Sequence, residues 1–403
     1  MVRSFTAEPP GDKFRSDLRV TYAPSKKTLT IDIKSNVAAL YGASIQEQAV
    51  KVCQMLGVST GHLEIDDFGA VPFVISARIE AAIKMALPKI CSEALPEMKP
   101  FCTYKTKGDR FRRSRLYIPG NQPKLMLNAG IHKPDGIILD LEDSVAPDQK
   151  FATRFVVRNA LRSVDFFGAE RMVRINQGEL GLEDLEYIVP HNVHVILLPK
   201  VESADQIKIV DQKIETIKKA CGKKEPVYLM PIIESGRGVA KSFEIAEASS
   251  NTVALAIGLE DYTADIGTER TKEGRESLFA RSEVVNSAKA AGIQAIDTVF
   301  SDVGDEVGLR ASVKEAKALG FEGKGCIHPR QIKPVHEEFA PSESEIDKAK
   351  IIVLAFKEAQ KKGLGVVSLG SKMIDPPVVK RALQTVDFAI ANELIPKNWK
   401  KKL

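Results

Sequence analysis

An acidic residue closes each of two successive apolar stretches in the second half of the chain. Glu234 ends Tyr228-Leu-Met-Pro-Ile-Ile-Glu234, and Glu260-Asp261 follow Val253-Ala-Leu-Ala-Ile-Gly258-Leu. If both stretches are parallel strands, their carboxylates emerge on the same rim. Two hard oxygen donors, with water and a substrate filling the other positions, are a usual way of holding Mg²⁺. Residue types and spacing therefore point to a metal-assisted enzyme rather than a binding module.

The elements that would position these groups repeat as strand and helix from about residue 113 onward. Strand candidates lie at 115–118, 136–141, 172–175, 193–198, 227–233, 253–257, 294–299 and 325–327. They are short and apolar, as strands buried on both faces are. Helical patterns fill most of the gaps, for example at 203–219 and 282–290. Eight such units predict an α/β fold of the (β/α)₈ TIM-barrel type, whose chemistry sits at the C-terminal ends of the strands. A doubly wound sheet is the alternative, but no G-x-G-x-x-G follows the first strand.

Read in order, the strand ends carry Pro119-Gly120-Asn121, Glu142-Asp143, Arg174-Ile-Asn176, Pro199-Lys200, Glu234, Glu260-Asp261, Asp297 or Asp302, and His328-Pro329. One charged strand end means little, because strands must stop in polar sequence. The full set argues for a site. Glu234 and Asp261 are the expected metal ligands, against the alternative of buried salt bridges to Arg174 or Lys200. Glu142 and Asp143 suit an outer layer that hydrogen-bonds metal-bound water. Arg174 offers a planar fork for a carboxylate or enolate oxygen. His328, before a proline, and Cys326, on the last strand, read as structural.

The flanking segments are of another kind. Residues 1–104 read as a small α+β domain: an alternating strand at 27–34, a helix opened by Ser44-Ile-Gln-Glu47 and closed by Gly57, a strand at 62–66, and a helix from 76 to 85. The basic run Lys105-Thr-Lys-Gly-Asp-Arg-Phe-Arg-Arg-Ser-Arg115 reads as a solvated linker, with anion binding as the alternative. The barrel is expected over 110–335. Residues 336–403 read as a helical lid or exchange segment, with a helix opened by Ser342-Glu-Ser-Glu345, a Gly-rich loop from Gly363, a last helix near Pro377 and a solvated tail at Lys400–Lys402.

Across 403 residues, 44% hydrophobic and 28% charged with a net charge of +5, the composition is globular. No apolar run reaches the length of a membrane span. Five scattered cysteines without a C-x-x-C pair argue against a zinc site or a disulfide framework and fit a reducing cytoplasm. One Trp, seven Tyr and no recognition motif argue against nucleic acid.

Seven stretches then occur in a telling order: Arg113-Ser-Arg-Leu-Tyr-Ile-Pro-Gly-Asn121, Leu139-Asp-Leu-Glu-Asp-Ser-Val-Ala-Pro-Asp148, Val173-Arg-Ile-Asn176, Leu198-Pro-Lys-Val-Glu-Ser203, Pro231-Ile-Ile-Glu-Ser235, Gly258-Leu-Glu-Asp-Tyr-Thr-Ala-Asp265 and Gly370-Ser-Lys-Met-Ile-Asp375. Together they closely resemble the citrate lyase β subunit and its relatives, the malyl-, β-methylmalyl- and citramalyl-CoA lyases. The resemblance implies a carbon–carbon lyase acting on a 3-hydroxyacyl thioester, with Mg²⁺, or Mn²⁺, as cofactor and CoA as part of the substrate. It implies Glu234 and Asp261 as metal ligands, and Arg174 as the arginine that steadies the thioester or keto-acid oxygen. Arg113, Pro119 and Gly120 would help hold the substrate. Asp375 would be an acidic residue placed over a neighbouring subunit's site, and hence the protein a homo-oligomer, a trimer or a pair of trimers.

The first domain resembles the acyl-carrier γ subunit of citrate lyase, through Asp17-Leu-Arg-Val20, Ile31-Asp-Ile-Lys-Ser-Asn36, Asp66-Asp-Phe-Gly-Ala70 and Ala77-Arg-Ile-Glu-Ala-Ala82. The carrier serine of that family sits in a Glu-Ser-Gly-Asp-like turn. Here the stretch is Phe14-Arg-Ser-Asp17, with Arg15 at the serine position and Ser16 one place late. Attachment of a prosthetic group at Ser16 is one reading. Loss of that function, with substrate arriving as a free CoA thioester, is the favoured one.

The resemblance gives a mechanism to expect. Cleavage between C2 and C3 leaves a small 2-keto acid and a thioester enolate, with Arg174 facing the enolate and Asp375 handling the α-proton. Two rivals remain at this point: a thioester hydrolase, malate-synthase-like, on the same site, and a β-type subunit that serves a carrier-bound thioester within a larger citrate lyase.

Overall fold

The computed structural model describes residues 4–11, 15–361, 367–369, 372–392 and 394–399. The chain divides into two compact units, Met1–Ile332 and Lys333–Leu403.

The first unit begins with a four-stranded sheet of β1 (Phe5–Ala7), β2 (Leu18–Thr28), β3 (Thr30–Ser35) and β4 (Thr60–Asp67), in the order β1-β2-β4-β3. Only the β3–β4 pair is parallel. Helix Ala38–Met55 crosses from β3 to β4, and helix Pro72–Ala86 follows β4. The expected strand at 27–34 is thus split between β2 and β3. The first helix starts six residues before Ser44, whose hydroxyl bonds the Tyr41 carbonyl from inside the helix instead of capping it. Gly57 does end that helix, at φ +71°, a conformation that suits a residue without a Cβ.

Helix Pro72–Ala86 is buried on every side from Phe73 to Ile83, because it lies between this sheet and the barrel helix Lys150–Ser163. Its charges are paired accordingly. Arg78 holds the Asp17 carboxylate with both Nε and Nη2, at 3.0 and 2.8 Å. Glu80 accepts from Arg158 at 2.5 and 3.1 Å and meets Lys84 at 2.9 Å. Burial alone would raise the Glu80 carboxyl, but Arg158 and Lys84 outweigh it and hold it below its ordinary value. The Glu80–Arg158 pair therefore ties the small domain to the barrel, and a buried ion pair is costly to break by losing one partner.

Eight parallel strands close into a barrel: β5 (Ser114–Pro119), β6 (Gly136–Asp140), β7 (Glu170–Arg174), β8 (Val195–Leu198), β9 (Tyr228–Ile233), β10 (Ala254–Ile257), β11 (Gln294–Asp297) and β12 (Gly323–Cys326). Every predicted strand has its counterpart. The interior is filled by Ile138, Met172, Leu197, Met230, Ile232 and Ile296 among others, each contributed at every second position of its strand.

The basic run before β5 is not a solvated linker. Arg112 is fully buried and forks onto Glu170, at 2.7 and 2.9 Å, while also donating to Gln294 Oε1. Glu170 and Gln294 are the first residues of their strands, so Arg112 plugs the N-terminal end of the barrel. Sequence composition saw the charge and missed its partners.

In the second unit, helices Glu343–Lys361 and Pro376–Ala391 pack around Ala349, Val353, Ala382, Val386 and Trp399. Ser342 and Glu345 form the expected reciprocal cap: the Glu345 N–H donates to Ser342 Oγ and the Ser342 N–H to Glu345 Oε2. A hairpin of β13 (Val367–Leu369) and β14 (Lys372–Ile374) stands within the segment expected as a loop. The start of that Gly-rich loop, Gly370-Ser371, Phe14 and the Lys400–Lys402 tail lie outside the described residues.

Candidate active site

A cavity of about 460 Å³ opens at the C-terminal ends of the barrel strands. Its lining includes Arg115, Tyr117 and Pro119 from β5, Asp140 and Asp143 at β6, Arg174 of β7, Glu234 after β9, and Gly258 to Asp261 after β10.

Glu234 follows the last residue of β9 and is 6% exposed. Lys200 aims its backbone N–H at Glu234 Oε2, 2.8 Å away, from a left-handed turn with φ +50°. On the other side Gly258 is required: a Cβ there would stand 2.5 Å from Glu234 Oε1. Burial pushes the Glu234 carboxyl up to about 8, and the charges of Asp261 and Glu142 act in the same direction. The Lys200 N–H and Arg174 pull the other way without overcoming burial.

Arg174, the last residue of β7, is held in one plane. Its Nε and Nη2 donate to the two oxygens of Asp140 at 2.7 and 2.8 Å, and Nη1 lies 2.9 Å from Glu142 Oε2. The guanidinium sits over the Tyr117 ring, 5.4 Å from its centroid. Burial opposes its charge, but the bonds to Asp140 more than compensate and raise its pKa. The same bonds hold Asp140 below the usual carboxylate range against its burial. Glu142 is buried as well and its carboxyl is raised, chiefly by desolvation. Gln177 donates to its Oε1 at 2.9 Å.

The Lys200 ammonium is 3.1 Å from Asp261 Oδ1 and 3.9 Å from both Glu142 and Asp143. Burial disfavours its charge, but Asp261 and Asp143 outweigh that and raise its pKa. The salt bridge foreseen as the alternative to metal ligation is thus present for Asp261, whereas Glu234 meets only the backbone of Lys200. Five carboxyl groups (Asp140, Glu142, Asp143, Glu234 and Asp261) gather around Arg174 and Lys200 at this mouth, with Arg115 deeper in the wall. That surplus of hard oxygen donors, one of them kept from ionising by its surroundings, fits a divalent cation of the Mg²⁺ type. Among the described residues no three such side chains converge on one point. A cation here would take Glu234 and Asp261 and fill its other positions from water and substrate.

Other expected site residues fall elsewhere. Arg113 precedes β5 and forks onto Asp135, which precedes β6, with contacts at 2.8 Å. Both belong to the N-terminal end of the barrel, opposite the cavity, so the substrate-binding role expected for Arg113 is corrected: it ties two strand starts together. Pro119 lines the cavity. Gly120 serves packing, since a Cβ there would meet the Asp140 carbonyl at 2.5 Å and Thr153 and Val157 at 2.8 Å. His328 caps the short turn after β12 by accepting the Arg330 N–H at 3.1 Å. Cys326 is buried, and its thiol is pushed up to about 12 by desolvation, which leaves it inert at neutral pH. Asp297 is buried between Lys324, at 2.6 Å, and Arg281. Asp375 belongs to the second unit, where its side chain accepts the Val378 N–H as the cap of helix Pro376–Ala391. Ser16 is half-buried at φ +58° and its N–H bonds the Phe68 carbonyl.

Sequence reasoning missed Asp140, Arg115 and Tyr117. Strand parity could have found them: Ile138, Asp140 and Glu142 share one side of their strand, as do Arg115, Tyr117 and Pro119.

A (β/α)₈ barrel with acidic side chains gathered at its C-terminal mouth defines the class as a barrel enzyme. Comparison narrows this class. Residues 113–329 match the model of the HpcH/HpaI aldolase/citrate lyase family, and the chain belongs to that family. Residues 14–86 match the model of the malonate decarboxylase delta subunit (MdcD), an acyl-carrier-type family. The chain is 42% identical over 283 residues to citrate lyase subunit beta of Haemophilus influenzae, covering 70% of this chain and 97% of the relative. It is 37% identical over 290 residues to the mitochondrial citramalyl-CoA lyase of Mus musculus, covering 69% and 86%. The barrel also resembles the crystal structure of protein CitE from Mycobacterium tuberculosis in complex with magnesium, acetoacetate and coenzyme A. That match has a TM-score of 0.58 and 29% identity, and covers 69% of this chain and 98% of the other.

Proposed function

We propose that this protein is a Mg²⁺-dependent carbon–carbon lyase that cleaves, or in reverse forms, a 3-hydroxyacyl-CoA thioester, giving an acyl-CoA and a 2-keto acid. The observation that carries the reading is the buried Glu234 carboxyl beside Asp261 at the mouth of the barrel, in a cavity lined by Arg174. Relatives that are citrate lyase β subunits and citramalyl-CoA lyases, and a structural relative that binds magnesium and coenzyme A, support the same chemistry.

Glu234 and Asp261 would hold the metal. When bound, it acts as a Lewis acid and template for the oxygens of the keto acid. Lys200 must release Asp261 for that purpose, while its backbone N–H keeps Glu234 aimed. Glu142 and Asp143 would form the outer layer around the metal. Arg174 has five N–H donors, three of them engaged by Asp140 and Glu142. Nη1 also lies 3.6 Å from Asp143 Oδ2, which leaves the second Nη2 donor for an enolate oxygen, where one well-placed donor is worth about 10²–10³ in rate. Tyr117 and Asp140 fix the plane of that guanidinium. Asp375, contributed by the C-terminal unit of a neighbouring copy, returns the α-proton in cleavage and removes it in condensation. The working form is then a homo-oligomer, a trimer or a pair of trimers, in the cytoplasm. The N-terminal domain, 1–104, with arginine at the carrier-serine position, has become part of the scaffold of the barrel, 110–335, with 336–403 as the lid. Substrate arrives as the free CoA thioester.

The test combines Mg²⁺ titration calorimetry with turnover in Glu234→Ala and Asp261→Ala. Both variants should lose metal binding and activity together. Full activity in either without bound metal rejects the assignment.

A further inference from the structure

Arg115 is the second residue of β5, is 1% exposed and lines the cavity. Its register partners on both adjacent strands are glycines, Gly136 and Gly325, so neither neighbouring strand offers it a polar side chain at that level of the barrel wall. Its guanidinium meets no carboxylate among the described residues. Nη1 lies 3.0 Å from Met230 Sδ, Nη2 lies 3.5 Å from the Asp297 carbonyl, and the buried Nε has no hydrogen-bond partner. The Asp297 carboxylate is already taken by Lys324 and Arg281.

An arginine stays charged in proteins, and a buried charge without a partner costs several kcal/mol. Other buried arginines here avoid that cost: Arg78, Arg112, Arg154, Arg158 and Arg281 pair with carboxylates. Arg171 is compensated differently, by two carbonyls at the end of helix Lys150–Ser163 and by the rings of Tyr104 and Phe166. Arg115 alone in this comparison keeps an uncompensated charge, and it does so in the wall of the cavity whose mouth carries Glu234 and Asp261. A desolvated fork with a free donor is a receptor for an anion, and a carboxylate matches its geometry.

We propose that Arg115 is the specificity-determining residue that receives a second carboxylate on the acid half of the substrate, so that the lyase releases a 2-keto dicarboxylate rather than a monocarboxylate. This rests on the cavity being the lyase active site. The α-carboxylate and keto oxygen stay at the mouth, and the second carboxylate points inward to Arg115. A keto acid without that group leaves the guanidinium unpaired and binds more weakly by the worth of one charge-assisted hydrogen bond, about 10- to 100-fold.

The experiment is calorimetric titration of the full-length protein, in Mg²⁺, with oxaloacetate and separately with pyruvate, for wild type, Arg115→Met and Arg115→Lys. Melting of each ligand-free protein in EDTA is recorded alongside. Wild type should favour oxaloacetate by that factor. Arg115→Met should lose the preference while changing pyruvate affinity less than about threefold, and should melt no lower than wild type, because an uncompensated buried charge has been removed. Arg115→Lys should keep part of the preference. Equal affinities in wild type, or an unchanged preference in Arg115→Met, overturn the role of Arg115 and leave the lyase reading standing. A fall in melting temperature with both affinities reduced in parallel assigns Arg115 to the scaffold instead. Binding of neither keto acid by wild type sinks the lyase reading, and the dicarboxylate proposal with it.

Discussion

Glu234 should be a liability to the metal-free protein. Its carboxyl, ordinarily at 4.5, is pushed up to about 8 by burial and by its acidic neighbours. A carboxyl raised in this way costs stability once pH exceeds its unfolded value, and the cost levels off above the folded one. At pH 7.5 the linkage is worth at most about 4 kcal/mol, and at pH 5.5 about 1.4 kcal/mol. Glu234→Gln removes the titration and keeps an oxygen to accept the Lys200 N–H. The amide must still be buried beside Gly258, and an unmatched amide costs about 1–3 kcal/mol. The net gain expected in EDTA at pH 7.5 is about 1–2 kcal/mol, or a few degrees of melting temperature for a domain this size. The advantage should shrink toward pH 5.5. Mg²⁺ should reverse the order. At 100 times its dissociation constant a ligand stabilises by about 2.7 kcal/mol, and only wild type should gain it. The assay is melting of both proteins in EDTA and in excess Mg²⁺ across that pH range. A variant that melts below wild type in EDTA at pH 7.5, or that still responds to Mg²⁺, refutes the reasoning.

Three further outcomes are expected. Gly258→Ala should weaken Mg²⁺ binding at least about tenfold while the protein stays folded, because the new Cβ occupies the place of Glu234 Oε1; unchanged calorimetric affinity would show that the carboxylate is not held there. His191 and His194 are buried and neutral, driven down to about 3 chiefly by desolvation, and His194 Nδ1 accepts the Arg171 N–H at 3.1 Å. Their contribution is present above the unfolded value near 6.5 and is lost as pH falls toward 3. At pH 5 each should cost about 2 kcal/mol, so urea denaturation of wild type should lose roughly 4 kcal/mol more between pH 7.5 and 5 than the His191→Asn/His194→Asn double variant; parallel pH profiles would contradict this. Asp375→Asn should retain the Mg²⁺ response and slow turnover at least about 100-fold, and wild-type turnover would remove Asp375 from the mechanism.

Much of the fold was legible because buried parallel strands announce themselves. Each of the barrel strands, from β5 to β12, is a short apolar run that stops at a polar or backbone-special residue. The placement of Glu234 and Asp261 at the barrel mouth was legible for the same reason, since a strand end fixes where each side chain emerges. What stayed hidden depends on partners distant in sequence. Arg112 and Arg113 look alike in a basic run, yet both are consumed at the barrel's closed end by Glu170 and Asp135. Arg115 lies within β5 and shares its cavity-facing side with Tyr117 and Pro119, whereas Arg113 lies before the strand begins. In the small domain a plausible cap at Ser44 lost to a start at Ala38, where tertiary packing overrides local preference. The hairpin of β13 and β14 carries too short an apolar pattern to separate it from the surrounding glycines.

The central claim is tested most directly by mass spectrometry of the products formed when the purified protein, Mg²⁺ and acetyl-CoA or propionyl-CoA are mixed with oxaloacetate, pyruvate or glyoxylate. The account predicts a new 3-hydroxyacyl-CoA that is absent when EDTA is present. Free CoA with a hydroxy acid would instead reveal hydrolysis on the same site. No product from any pair, with the protein folded and Mg²⁺ bound, would contradict a free-standing CoA-dependent lyase.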